Sequence, residues 1–156
     1  MTTVESRTAQ HRLQQAAARR RIDTLELNRE IFRASRNRHL THRQISAVVA
    51  DMSTTTIQRI LSRFAADPTL LEVTPAEVID KRAAGLIDDA AMMDTLLAWN
   101  YEFGAVEYVD GVATDAYTSR DWDDIEQAYY CDRLSDDEFA RLVERHRSDL
   151  EKAAGA

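Results

Sequence analysis

The residues best suited to chemistry form a run of hydroxyl, amide and guanidinium side chains between positions 53 and 63. Glutamine can form two hydrogen bonds to adenine, arginine can form two to guanine, and threonine methyl groups can contact the thymine methyl. Hydroxyls at a helix start and neighbouring cations also suit phosphate oxygens, because the helix dipole favours an anion there. These residue types therefore favour recognition of a nucleic acid. The residues predicted to read bases are Thr54, Thr55, Gln58, Arg59 and Ser62, and those predicted to bind phosphates are Thr41, His42, Arg43, Ser53 and Arg63.

A helix must present these side chains, and the apolar residues between them predict one. They recur at helical spacing, and Ser53 is a typical N-cap. Asp67-Pro68 ends the helix, because proline disfavours helix in the residue before it. With the apolar residues facing inward, the predicted base-reading residues fall on the outer face. The apolar positions are Ile57, Ile60, Leu61 and Phe64.

Helical patterns also come before this segment. Thr41 and Gln44 have the spacing of a capping box and predict a second helix. Residues 7–38 contain no Gly or Pro and have apolar residues at helical spacing. Asp23 with Glu26 is typical of a further helix start, so one helix or two fit this stretch. The helix after Thr41 has its apolar positions at Ile45, Val48 and Val49.

Residues 43–62, "RQISAVVADMSTTTIQRILS", resemble the helix-turn-helix of bacterial and phage DNA-binding regulators. With the preceding helix included, the resemblance covers about residues 23–66. In that family the helix after the turn, called the recognition helix, enters the major groove of duplex DNA. The resemblance therefore implies a trihelical unit in which the helix after Ser53 reads base pairs.

Residues around the turn partly match the family pattern. Ala47 stands where the family uses a small residue for close helix contact, and Met52 is the apolar residue that follows the turn. Asp51 stands where glycine is common. Ser46 stands at a position that is usually apolar, a role that Ile45 takes if the turn is one residue longer. These departures leave the turn geometry open.

Charge divides the chain into two halves. Residues 1–66 contain twelve Arg, no Lys and five acidic residues, a net charge of +7. Residues 67–156 contain eight basic and 22 acidic residues, a net charge of −14. Such asymmetry suggests a nucleic-acid partner for the basic half. The acidic half is predicted to serve dimerisation or to bind another protein.

The acidic half shows a helical pattern that repeats after 47 residues. Thr74-Pro75 is typical of a helix start, Gly85 of a helix end and Asp88 of the next N-cap. The matching pattern later in the chain includes a capping box of Ser135 with Glu138. The repeat therefore predicts two helical hairpins.

The residues between the two hairpins are also patterned. Alternating segments around Asp110-Gly111 predict a short β-hairpin or an ordered loop within Tyr101–Tyr117. The aromatic residues of this half are predicted to form a small core, and a partner surface for some of them is the alternative. They are Trp99, Tyr101, Phe103, Tyr108, Trp122, Tyr129, Tyr130 and Phe139.

Composition argues against several functional classes. Apolar residues make up 44% of the chain and Gly plus Pro only six residues, which favours a folded helical protein. The single cysteine, Cys131, cannot form an intrachain disulfide, and no apolar run approaches the roughly 20 residues of a membrane span. We therefore expect a cytoplasmic protein with no membrane partner. His39 and His42 have no third ligand nearby, and the acidic residues lack a recognised ligand spacing, so we expect no enzyme, metal or cofactor.

Together these patterns predict a mainly α fold with two domains. Residues 1–66 form a basic DNA-binding domain, residues 67–73 a linker, and residues 74–156 an acidic helical domain. We expect a sequence-specific regulator that binds double-stranded DNA as a homodimer, and the resemblance implies a repressor of the phage-repressor or antitoxin type. The alternatives are a protein-interaction module whose acidic half neutralises or recruits a basic partner, and a DNA-packaging or recombination accessory protein.

Overall fold

The chain is mainly α-helical, in agreement with the sequence prediction. The computed structural model describes residues 2–118 and 121–155, and eight α-helices lie within those ranges. No helix in the described part of the chain is long and apolar enough to cross a membrane. The helices are α1 (Thr3–Arg38), α2 (His42–Val49), α3 (Thr54–Ala66), α4 (Pro75–Ala83), α5 (Asp89–Ala98), α6 (Trp122–Tyr130), α7 (Asp136–Arg145) and α8 (Arg147–Ala154).

The helices group into two compact units. One unit, Arg19–Val73, has ten arginines against six acidic residues and is called the basic unit below. The other combines Met1–Ala18 with Thr74–Ala156, has ten basic against 21 acidic residues and is called the acidic unit. Helix α1 contributes residues to both units, so the structure differs from the predicted division at residue 66.

Helix α1 is a single helix that continues through the predicted second start at Asp23. Its 36 residues contain no Gly or Pro, so nothing in the sequence interrupts the hydrogen-bond ladder. Within the basic unit, Arg29 is buried and donates from Nε to the carbonyl of Leu70 at 3.1 Å and from Nη2 to that of Glu72 at 2.9 Å. Residues 67–73 are therefore held by α1 rather than forming a free linker. The segment contains a short 3-10 helix, Pro68–Leu71.

The predicted repeat is visible in the backbone of the acidic unit. Helices α4 and α5 form one hairpin, and α6 and α7 form the other. At the end of α4, the N–H of Leu86 donates to the carbonyl of Lys81 at 2.9 Å. At the end of α6, the N–H of Arg133 donates to the carbonyl of Ala128 at 2.7 Å. The donors and the acceptors are each 47 residues apart, so the repeat predicted from the sequence is confirmed.

The two hairpin turns also share their special backbone positions. Gly85 and its counterpart Asp132 both have positive φ, at 77° and 56°, which ends each first helix with a left-handed residue. The second helices begin at matching caps. The Asp88 side chain accepts from a backbone N–H at 2.8 Å and the Ser135 hydroxyl accepts from the equivalent N–H at 3.1 Å. The same local rules therefore build both hairpins.

The core of the acidic unit contains most of the predicted aromatic residues. Tyr101 and Trp122 are buried, and Trp99, Phe103 and Phe139 pack against the core. Tyr130 corrects the prediction, because 76% of its surface is exposed. It is the last residue of α6, one step of about 100° away from its half-buried neighbour. The side chain of Tyr108 lies outside the described residues.

A two-stranded antiparallel hairpin lies between the helical hairpins, at the position where the sequence allowed a hairpin or a loop. Strands β1 (Ala105–Val109) and β2 (Val112–Thr118) pair with Val109 opposite Val112. The turn residues Asp110 and Gly111 have φ of 52° and 80°, the left-handed pair that tight hairpin turns favour.

His146 lies in the core of the acidic unit, between α7 and α8. It is 8% exposed, and its Nε2 atom is buried with no hydrogen-bond partner among the described residues. Its ring packs edge-on against Tyr101, with ring centroids 4.8 Å apart, and lies 5.8 Å from the Trp122 ring. Burial lowers the pKa of His146, and the nearby charge of Arg145 lowers it further. The folded chain therefore favours the neutral imidazole.

We expect the acidic unit to lose stability as pH falls below about 6.5, the ordinary pKa of histidine. The folded chain binds fewer protons at His146 than the unfolded chain, so acid favours unfolding until pH reaches the folded pKa, and there is no dependence above the unfolded pKa. Denaturation can be followed by the fluorescence of Trp99 and Trp122, which both belong to this unit. The free energy of unfolding measured in this way should change by at most about 1.4 kcal/mol per pH unit. His146→Phe should flatten the slope, and an unchanged slope would assign it to another group.

Candidate nucleic-acid interface

Helix α3 buries its apolar side and exposes its polar side, as the apolar pattern predicted. Ile57 is fully buried, and Ile60 and Phe64 are almost so. The outer face has no carboxylate, because residues 54–66 contain no acidic residue. The predicted base-reading residues Thr54, Thr55, Gln58, Arg59 and Ser62 are all exposed.

Helices α2 and α3 both begin at the side-chain caps that the sequence predicted. The Thr41 hydroxyl accepts from the N–H of Gln44 at 3.2 Å, and Gln44 Oε1 accepts from the N–H of Thr41 at 2.9 Å. The Ser53 hydroxyl accepts from the N–H of Thr56 at 3.2 Å. A capped helix start still directs first-turn N–H groups outward, where they suit an anion. The basic unit therefore has two such starts within one short stretch of chain.

Positive charge accompanies these helix starts. Residues 41–66 contain three arginines and one acidic residue, Asp51. His42 and Arg43 are exposed in the first turn of α2, and Arg63 is exposed in the last turn of α3. Arg63 also lines a cavity of about 40 Å³ together with Ile60, so it stands at the border between the outer face and the core. In the described residues, no group of three or more His, Cys, Asp and Glu could hold a metal ion.

The structure defines the turn between α2 and α3, whose geometry the sequence left open. The residue with positive φ is Ala50, with φ 72° and ψ −33°. The Ser46 hydroxyl donates to the carbonyl of Met52 at 2.6 Å and so links α2 to the end of the turn. Ile45 is buried and takes the apolar role that was uncertain between positions 45 and 46.

Two predictions for α2 are wrong. Ala47, expected in close contact with another helix, is exposed, and Val48, expected on the apolar side, is 82% exposed. Ile45 and Val49, four residues apart, occupy the inner side of α2. In a helix of 3.6 residues per turn, Ala47 lies about 180° from the middle of that side and Val48 about 80° from it, so Ala47 points outward and Val48 lies at the edge of the inner side.

Helix α1 supports α3 from the core side. The Phe32 ring stacks on that of Phe64, with centroids 5.3 Å apart and planes 22° apart. Ile31 is buried in the same cluster, and the Arg36 guanidinium lies 5.5 Å from the centre of the Phe32 ring. A packed base of this kind fixes the direction in which the outer face of α3 points.

Sequence reasoning missed three residues that position this face, namely Ser46, Ala50 and Arg29. A serine inside a helix can bond to backbone groups, so Ser46 gave a weak local signal. The sequence gives no sign that Ala50 has a positive φ, because alanine rarely adopts one. Arg29 is one of twelve arginines in residues 1–66, and only the folded chain distinguishes it by burial.

Comparisons of the chain with models of protein families, with curated proteins and with solved structures found no match. The functional interpretation therefore depends on the residues of this chain.

Ala50→Gly should stabilise the basic unit by about 0.5–1 kcal/mol, because glycine removes the Cβ strain of a positive φ at some entropic cost. Native-state hydrogen exchange of the α3 amides measures this unit separately from the other. Ala47→Gly is the matched control, since Ala47 is exposed inside α2, the helix that Ala50 follows, and has ordinary helical geometry. Ala47→Gly should destabilise the basic unit by about 1 kcal/mol, because glycine is less favourable than alanine inside a helix. Equal effects of the two changes would contradict strain at Ala50.

Proposed function

We propose that the basic unit binds double-stranded DNA, with α3 in the major groove. The observation that carries this proposal is the exposed, carboxylate-free face of α3. Gln58 and Arg59 are long enough to reach base edges, and Thr54, Thr55 and Ser62 extend the same polar surface. A good bidentate contact contributes about 1–3 kcal/mol of discrimination between bases.

The helix starts supply the proposed backbone contacts. Thr41, His42 and Arg43 at the start of α2 and Ser53 at the start of α3 bind phosphates in this proposal, and Arg63 binds one from the far end of α3. Such contacts set the register of the protein on the duplex without reading sequence. The resemblance of residues 43–62 to helix-turn-helix regulators supports the same arrangement.

The biological role that fits this arrangement is transcriptional regulation, as a repressor of the phage-repressor or antitoxin type. A single recognition helix buries little surface, so we infer that two copies bind together. Two recognition helices would then read half-sites about 34 Å apart, one turn of the duplex. The acidic unit is available for other contacts, because its excess of negative charge opposes binding to phosphate.

Selection from a pool of random duplexes tests the proposal. A sequence-specific binder enriches one motif, and fluorescence anisotropy at two salt concentrations should then show tighter binding to that motif than to a shuffled duplex at both. Binding that is equal for the two duplexes and disappears with salt would mean phosphate attraction alone. That outcome would overturn the proposed regulator.

Gln58→Ala and Arg59→Ala should each relax base preference at one position of the selected motif, at a cost of about 1–3 kcal/mol for the preferred duplex. The shuffled duplex should lose little affinity with Gln58→Ala, because no phosphate contact is removed. Gln14→Ala, an exposed glutamine of α1, is the control and should change neither duplex. If both α3 variants keep the full preference, α3 does not read the bases.

Arg43→Ala should weaken binding to all duplexes alike and should reduce the slope of log affinity against log salt by about one. The reason is the loss of one phosphate contact and of the counterion that it releases. Arg12→Ala removes the same charge from an exposed position of α1 outside the basic unit. A slope that falls equally in both variants would show an effect of net charge rather than a contact at Arg43.

A further inference from the structure

Three aromatic rings form a row on the second hairpin of the acidic unit. The Tyr129 ring is stacked on that of Phe139, with centroids 4.1 Å apart and planes 6° apart. The Tyr130 ring follows at 5.8 Å from the Tyr129 ring. Tyr130 is 76% exposed, whereas Tyr129 and Phe139 are half-buried. We call these three residues the aromatic row.

The first hairpin has the same backbone geometry without aromatic rings at these positions. Positions 47 residues earlier hold Arg82, Ala83 and Met92, none of them aromatic. The first hairpin nevertheless has the same turn hydrogen bonds and the same left-handed residue. Because 76% of Tyr130 is in contact with solvent, its ring also adds little to the core. A role outside the fold explains the exposed Tyr130 ring better than hairpin stability.

Negative charge lies beside the aromatic row. The Tyr129 hydroxyl donates to Asp136 Oδ1 at 3.0 Å, and this bond, together with the charges of Asp136 and Asp132, raises the pKa of Tyr129. Residues 121–151 contain eleven acidic and four basic residues. A ligand of this surface therefore needs positive charge and a group that stacks on rings.

We propose that the aromatic row binds an arginine-bearing segment of a partner protein. A guanidinium is planar, stacks on an aromatic face and forms paired hydrogen bonds with a carboxylate, all of which this surface offers. A lysine ammonium gains the charge attraction but not the stacking. The inference concerns the acidic unit alone and does not depend on DNA binding by the basic unit.

Titration of the full-length protein with short arginine and lysine peptides of equal length tests the proposal, with anisotropy of a labelled peptide as the measurement. The arginine peptide should bind about two- to fivefold more tightly at matched salt, because the planar guanidinium stacks on a ring whereas the lysine ammonium makes the weaker cation–π contact. Tyr130→Phe should keep this preference and Tyr130→Ala should lose it. Leu86→Ala, in the matching turn of the first hairpin and 49% exposed, should leave it unchanged.

Two results would overturn the proposal. Equal affinity for the two peptides would mean charge attraction without stacking, and an unchanged preference in Tyr130→Ala would place any arginine site elsewhere. Light scattering of the protein without peptide tests whether a second copy of the chain covers the aromatic row instead. If the protein self-associates and Tyr130→Ala abolishes the association, a second copy covers the aromatic row and the proposed partner is wrong.

Discussion

Burial of the apolar side of α3 is the constraint on which the basic unit depends. Ile57, Ile60 and Phe64 pack into one cluster with residues of α1 and α2, which fixes the rotation of α3 about its axis. A turn of one residue, about 100°, would expose Ile57 and bury Gln58. Losing one large buried aliphatic side chain costs about 1.5–3 kcal/mol, and burying an amide without partners costs about 1–3 kcal/mol more. The polar chemistry of the outer face is therefore a consequence of the core beneath it.

The turn before α3 shows how this constraint supports local strain. Ala50 has a backbone conformation that alanine avoids, at a cost of about 1–2 kcal/mol. Such strain persists only where the surroundings over-determine the geometry. Ile45 and Ile57 are buried on either side of the turn, and Ser46 donates a hydrogen bond to Met52 across it, so the surroundings fix the conformation of Ala50. The same contacts also set where α3 begins.

The sequence predicted the features that depend on a few neighbouring residues. The caps at Thr41, Ser53 and Ser135 and the mainly α fold are of this kind, because a cap needs only a side chain and an N–H two or three residues away. The exposed side of α3 followed from its apolar spacing. The ordered segment 67–73 could not be predicted, since Arg29 holds it from about 40 positions away along the chain. The turn at Ala50 also depends on tertiary packing.

The two hairpins of the acidic unit have the same backbone geometry but different side chains at equivalent positions. The repeat in the sequence predicted both hairpins, and their turn geometry and caps are the same. The side chains at equivalent positions nevertheless differ. In the first hairpin Arg82 turns inward and bonds Glu138 through both Nη atoms, at 3.0 and 3.2 Å, which ties the hairpins together. Further bonds join the hairpins, because Arg82 Nη2 also donates to the carbonyl of Arg133 at 2.8 Å and the N–H of Ala76 donates to Asp124 Oδ2 at 3.4 Å. The counterpart of Arg82, Tyr129, instead donates to Asp136 within its own hairpin. This difference has no local signal in the sequence, because Arg82 and its partner Glu138 are far apart along the chain.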